Sequence, residues 1–127
     1  MTADTSFDRE LAHCLLSSSA RDDGGKWNGI FRFPVDFIGF QGHFNGNPVL
    51  PAVVQLAAVR WFFGRSQGIA LQLEQVERAK FKRVIGPEQE VEVRVSGCEH
   101  EKKYHLSFSI HAAGGEVSSG SLICTRE

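Results

Sequence analysis

The sequence has no apolar run long enough to cross a bilayer. Its longest, residues 51–63, is interrupted by Gln55 and Arg60 and falls short of the ~20 residues that a spanning helix needs. It also lacks a basic block. The 14 basic and 15 acidic residues are interspersed, for a net charge of −1, so a nucleic-acid-binding stripe is not expected. Cysteine is scarce: Cys14, Cys98 and Cys124 are odd in number, far apart and form no CxxC pair. That disfavours a zinc ribbon or a redox motif, and the expectation is three reduced thiols in a cytoplasmic protein. The opening MTADTSFDRE has neither a basic n-region nor an apolar run, so no secretory leader is expected. There is no internal repeat, linker or low-complexity segment. A chain of 127 residues, 42% apolar and 23% charged, suits a single domain, 1–127, with a real core.

What is present reads as strands around one helix. The turn signal Asp22-Asp23-Gly24-Gly25 separates two candidate strands, residues 12–19 and 27–33, and makes a hairpin the natural reading. A short helix through Phe7, Leu11 and Leu15 competes for the first run. Residues 34–48 hold too much glycine and asparagine for regular structure and read as a loop with aromatic anchors. Pro51 then opens AVVQLAAVRWFFG, a helix with proline in its first turn and Gly64 as the expected C-cap. It is apolar on nearly every face, so it must be buried by a sheet, with help from a partner subunit. Residues 90–95 and 104–110 alternate strictly, and 74–84 and 116–125 are two further candidate strands, with turns at Gly86-Pro87 and Gly114-Gly115. The expected order is two strands, a buried helix and four strands: an α+β fold with a curved antiparallel sheet.

The chemistry-bearing segment is GHFNGNPVLPAVVQL, residues 42–56. It sets His43 in a glycine-flanked loop just before a helix N-terminus. Free N–H groups at a helix start can stabilise a developing oxyanion, and histidine can take or give a proton near neutral pH. The pairing suits proton abstraction beside a polarised carbonyl, although a histidine in such a place is also commonly structural.

The segment resembles the GHFPGxPVLPGVVQL signature of the beta-hydroxyacyl-carrier-protein dehydratases, and its VVQL ending is similar to the dehydratase-like subgroup of aryl-polyene pathways. Residues 79–87, AKFKRVIGP, resemble that family's KFxxPVxPG strand and turn, and Ser118-Ser119-Gly120 resembles the end of its last strand. The likeness covers about residues 31–124. It implies a hot-dog fold, an antiparallel sheet wrapped around one long buried helix, assembled as a dimer. It implies that His43 acts on the C2 proton of an acyl thioester and that the backbone N–H of Ala52, where glycine is usual, polarises the thioester carbonyl. The carbonyl at Val49 would orient the histidine ring, and Phe44, Pro48 and Pro51 would shape the loop. The substrate-binding set so implied is Phe44, Gly46, Val49, Pro51, Ala52, Val53, Gln55 and Ala57.

Ala57 is the departure. Relatives carry Asp or Glu there, supplied across the dimer interface to assist loss of the C3 hydroxyl. Alanine cannot do this. Gln55 is left to hydrogen-bond substrate or loop, Arg60 is a poor acid, and nothing in the sequence places Glu74 at the site. Asn45 stands where proline is frequent, a minor change. His100, His105 and His111 do not make a metal site by spacing, and Trp61, Phe62 and Phe63 read as core and dimer contacts. No cofactor or metal is expected.

Three readings follow. The first is a 3-hydroxyacyl thioester dehydratase-like enzyme of fatty-acid or polyene synthesis, using acyl carrier protein or coenzyme A thioesters, as a homodimer or a heterodimer. The second is a non-catalytic acyl-binding or partner subunit. The third is a hot-dog thioesterase or isomerase.

Overall fold

The computed structural model describes residues 6–21, 25–40 and 48–127. Helix α1 (Ser6–Cys14) leads into the hairpin β1 (Leu15–Arg21) and β2 (Lys26–Arg32). A 3-10 turn (Ile38–Phe40) precedes helix α2 (Ala52–Gln67), and four strands follow: β3 (Leu71–Phe81), β4 (Glu90–His100), β5 (Lys103–Ala112) and β6 (Gly115–Arg126). The strands form one sheet in the order β1-β2-β4-β5-β6-β3, and every adjacent pair is antiparallel.

Alternation explains the central strands. Val91, Val93 and Val95 of β4 and Tyr104, Leu106, Phe108 and Ile110 of β5 are buried, while the residues between them are more open. Period two thus lays one apolar face against the helix. Helix α2 has nine buried residues, Val54, Gln55, Leu56, Ala58, Val59, Trp61, Phe62, Phe63 and Gly64, so the sheet of a single chain already covers most of it. It packs on β2, β3 and β4 and against α1. Glycines in the sheet make room for its rings. A Cβ at Gly29 would lie 2.7 Å from Phe62 and one at Gly97 2.8 Å from Phe63. Burying each such ring contributes roughly 1.5–3 kcal/mol.

Three sequence expectations need correction. The helix does not stop at Gly64 but runs on to Gln67 and ends at Gly68, whose φ is 72°. Gly68 N–H donates to Arg65 O at 3.1 Å and Ile69 N–H to Gly64 O at 2.9 Å, the paired bonds of a Schellman ending. The first run is both of its candidate structures in succession. Phe7, Leu11 and Cys14, at helical spacing, turn inward, and the strand begins only at Leu15. Finally, β3 starts and stops earlier than residues 74–84, because the chain enters it directly after Ala70 and leaves it before Val84.

Candidate active site

Helix α2 starts at Ala52 with Pro51 as its N-cap, at φ −63° and ψ 154°, and no side chain among the described residues caps it. The N–H groups of Val54 and Gln55 both donate to Pro51 O, at 3.0 and 3.1 Å. The N–H groups of Ala52 and Val53, in the first turn, have no intrahelical acceptor by construction. They point from the positive end of a 16-residue helix, and its first turn contains no acidic residue. Ala52 and Val53 are exposed, Pro48, Val49, Pro51 and Ala57 half-buried, and Leu50 and Gln55 buried.

Several anchors hold the chain around this start. Upstream, a run of aromatic rings fixes residues 33–40: Phe37 packs on Phe33 at 5.2 Å, on Phe7 at 5.9 Å and on Phe40 at 6.0 Å. Glu88 adds backbone and side-chain bonds, its N–H to Phe33 O at 2.7 Å and its carboxylate to Val35 N–H at 3.3 Å. Immediately before the helix, Leu50 N–H donates to Ile85 O at 2.8 Å. Gln55 reaches back to donate from Nε2 to Leu50 O at 3.3 Å and accepts from Ser118 Oγ at 2.9 Å. Three of the expected site residues, His43, Phe44 and Gly46, lie outside the described residues, as does Asn45. Val49, Pro51, Ala52, Val53, Gln55 and Ala57 are brought to the beginning of α2.

Arg60 and Glu74, the polar groups weighed in the sequence beside Ala57, are engaged elsewhere. Arg60 pairs with Asp8 at 3.2 Å and donates to Leu71 O at 3.0 Å, tying α1 and β3 to the far half of the helix. Glu74 pairs with Lys103 at 2.9 Å, near the end of β3 that follows the helix C-terminus. His111 Nε2 lies 2.9 Å from Ser109 Oγ, and the His100 and His105 rings are 6.1 Å apart. No group of three or more metal-ligating side chains occurs among the described residues. Also among them, no helix is long and apolar enough to cross a membrane.

Sequence reasoning placed Ser118 only in a family-like strand end and missed it as the buried partner of Gln55. Val117 and Ser118 are both buried, which breaks the period-two pattern of β6. Nothing in GEVSSGSL distinguishes Ser118 from Ser119 or Ser121 beforehand.

Residues 19–121 match the ApeI-like family, described as ApeI dehydratase. The 3-hydroxyacyl-[acyl-carrier-protein] dehydratase FabZ of Latilactobacillus sakei subsp. sakei (strain 23K) is 33% identical over 99 residues, 69% of this chain and 64% of FabZ. The chain therefore spans less than two thirds of that curated relative. Among solved structures, the dehydratase heterocomplex ApeI:P from Xenorhabdus doucetiae matches with a TM-score of 0.72 at 16% identity, over 88% of this chain and 96% of that one. A variant of the fluoroacetyl-CoA-specific thioesterase FlK matches with a TM-score of 0.67 at 14% identity, over 86% and 90%. These two likenesses are of fold, and the fold is the hot-dog: a six-stranded antiparallel sheet with one long helix against it. With a family match that runs through most of its length, the chain belongs to the ApeI-like dehydratase family.

Proposed function

We propose that the chain binds a 3-hydroxyacyl thioester, carried on acyl carrier protein or coenzyme A, and dehydrates it to the 2-enoyl thioester. The observation that carries this reading is the start of α2 at Ala52, uncapped among the described residues and directly after the histidine-bearing motif. An oxyanion developing on the thioester oxygen is stabilised there by the Ala52 N–H and the helix dipole. His43 takes the C2 proton. The electron pair of that C–H bond forms the C2=C3 double bond, and the C3–O bond breaks. The departing hydroxide leaves as water with a proton from imidazolium or from solvent, since Ala57 has none to give. The Val49 carbonyl orients the His43 ring. Phe44, Gly46, Pro51 and Val53 shape the pocket.

The unit that acts is a dimer of one-domain chains in the cytoplasm. Free thiols at Cys14, Cys98 and Cys124 support that compartment. β3 pairs only with β6 among the described residues, and Val76, Phe81 and Val84 stay 41%, 39% and 66% exposed on it or just beyond it. A long edge strand with apolar side chains in water favours a second copy. Ala57 favours a second reading, a subunit that binds acyl thioester and completes an active paralogue, and the ApeI:P neighbour is itself a heterocomplex. The thioesterase neighbour keeps hydrolysis as a third. Incubation with a 3-hydroxyacyl thioester tests all three. Conjugated enoyl product supports dehydration, free thiol supports hydrolysis, and saturable binding without turnover supports the partner subunit.

A further inference from the structure

Gln55 and Ser118 are the two buried polar side chains of the described residues, 3% and 0% exposed, and they are bonded to each other. Burying an amide and a hydroxyl is costly unless their bonding is met, and here it is met in a particular way. Ser118 Oγ donates to Gln55 Oε1, which leaves Gln55 Nε2 to face Leu50 O. Leu50 N–H is held by Ile85 O at 2.8 Å, and the same crossover is bound to β6 by Lys82 N–H and Arg83 N–H, both donating to Val117 O at 2.8 and 3.3 Å. Val117 adjoins Ser118, so the bonds close into a circuit: β6 to helix, helix to pre-helix loop, loop to crossover, crossover back to β6. Both the N–H and the C=O of Leu50 are thereby fixed, two residues ahead of Ala52.

We propose that Gln55 is a positioning residue of the active site rather than a contact for substrate, and that Ser118 orients it. The pair sets the direction of the Val49–Leu50–Pro51 backbone, and through it the aim of the Ala52 N–H and of the Val49 carbonyl. This rests on the reading that the helix start receives the thioester carbonyl. An apolar residue at position 55 would pack as well in a buried helix but would release Leu50 O.

The test compares wild type, Gln55→Leu, Ser118→Ala and the double variant with a 3-hydroxyacyl thioester, separating kcat from KM. Loss of aim at a reacting centre costs up to about a hundredfold in rate. Gln55→Leu should therefore lower kcat about ten- to a hundredfold with KM nearly unchanged, and Ser118→Ala should lower it less. The double variant should be no slower than Gln55→Leu, because the two act as one unit. Ser118→Ala removes only a hydroxyl and keeps the test open if Gln55→Leu does not fold. A wild-type kcat in Gln55→Leu, or in Ser118→Ala where that alone folds, overturns the proposal, and so does a rise in KM at constant kcat, which would make Gln55 a substrate contact. If wild type turns over no 3-hydroxyacyl thioester, the proposed function fails separately. The positioning claim is then decided by the amide resonances of Leu50 and Ala52, which move in both single variants if the circuit holds them and stay in place if it does not.

Discussion

Gly64 and Ile69 meet backbone to backbone: Ile69 N–H donates to Gly64 O at 2.9 Å, and a Cβ on Gly64 would lie 2.7 Å from Ile69 O. Gly64→Ala should therefore lower thermal stability by about 1–3 kcal/mol, the usual scale of overpacking. Gly68→Ala meets no neighbour within 4 Å but must hold φ 72°, so its cost, about 1–2 kcal/mol, is conformational. Chemical denaturation of both variants checks this. Equal stability of Gly64→Ala and wild type would contradict the close approach.

His43→Ala should abolish nearly all turnover while the fold and assembly persist. Loss of a positioned general base costs about 10²–10⁴ in rate. A variant with wild-type turnover on any thioester would remove the histidine from the mechanism.

Ala57→Asp should raise dehydration by restoring a carboxyl group on a rigid helix, at a position that is half-buried. The general-acid contribution it restores is about 10²–10⁴ at most, less the cost of placing a carboxyl group in a partly apolar site. Robust wild-type dehydration that falls in the folded variant would show that the acid comes from elsewhere. Inactivity of both forms with thioester still bound would favour the partner-subunit reading.

Val76→Lys should shift the protein toward monomer, by placing charge on the outer strand of the sheet. Light scattering reads the mass directly. A wild-type protein that is already monomeric at micromolar concentration would overturn the dimer.

The thiols should separate by reactivity. Burial pushes Cys14 up to about 12, with Glu10 and Asp36 adding to the rise, and pushes Cys124 up to about 11 against an opposing pull from Arg60. Cys98 is exposed. At neutral pH a thiol reagent should label Cys98 rapidly and the other two only on unfolding. Both raised values lie above the ordinary thiol value of 9.0. Above that value the unfolded chain ionises while the folded chain does not, so stability should fall as pH rises from there toward 11 and 12. Labelling of Cys14 or Cys124 in the native state would contradict their burial.

The sequence made some of this legible for specific reasons. The alternation of β4 and β5 survives because one face of each packs on α2, and period two records that directly. The helix start was legible from Pro51. The helix end was not, because Gly64 and Gly68 have the same side chain and different duties: one makes room for a returning backbone, the other supplies a left-handed turn. At the site, the motif placed Ala57 on α2, where it is half-buried, while His43, Phe44 and Gly46 lie outside the described residues. It did not expose Ser118, since a serine that turns inward on a strand looks like its neighbours until the partner across 63 positions is known.

The strand order has a consequence for synthesis. β2 and β3, the strands on either side of α2 in sequence, are separated in the sheet by β4, β5 and β6. The helix is made before four strands of the sheet, β3, β4, β5 and β6, exist. A nascent chain that has just completed β3 must therefore hold an almost wholly apolar helix without its cover. Closure waits for β6, which must slide between β5 and the already synthesised β3 as the final insertion. Distant pairings of this kind slow folding and prolong exposure of sticky surface, so the demand for chaperone protection falls on the interval between synthesis of the helix and arrival of the last strand.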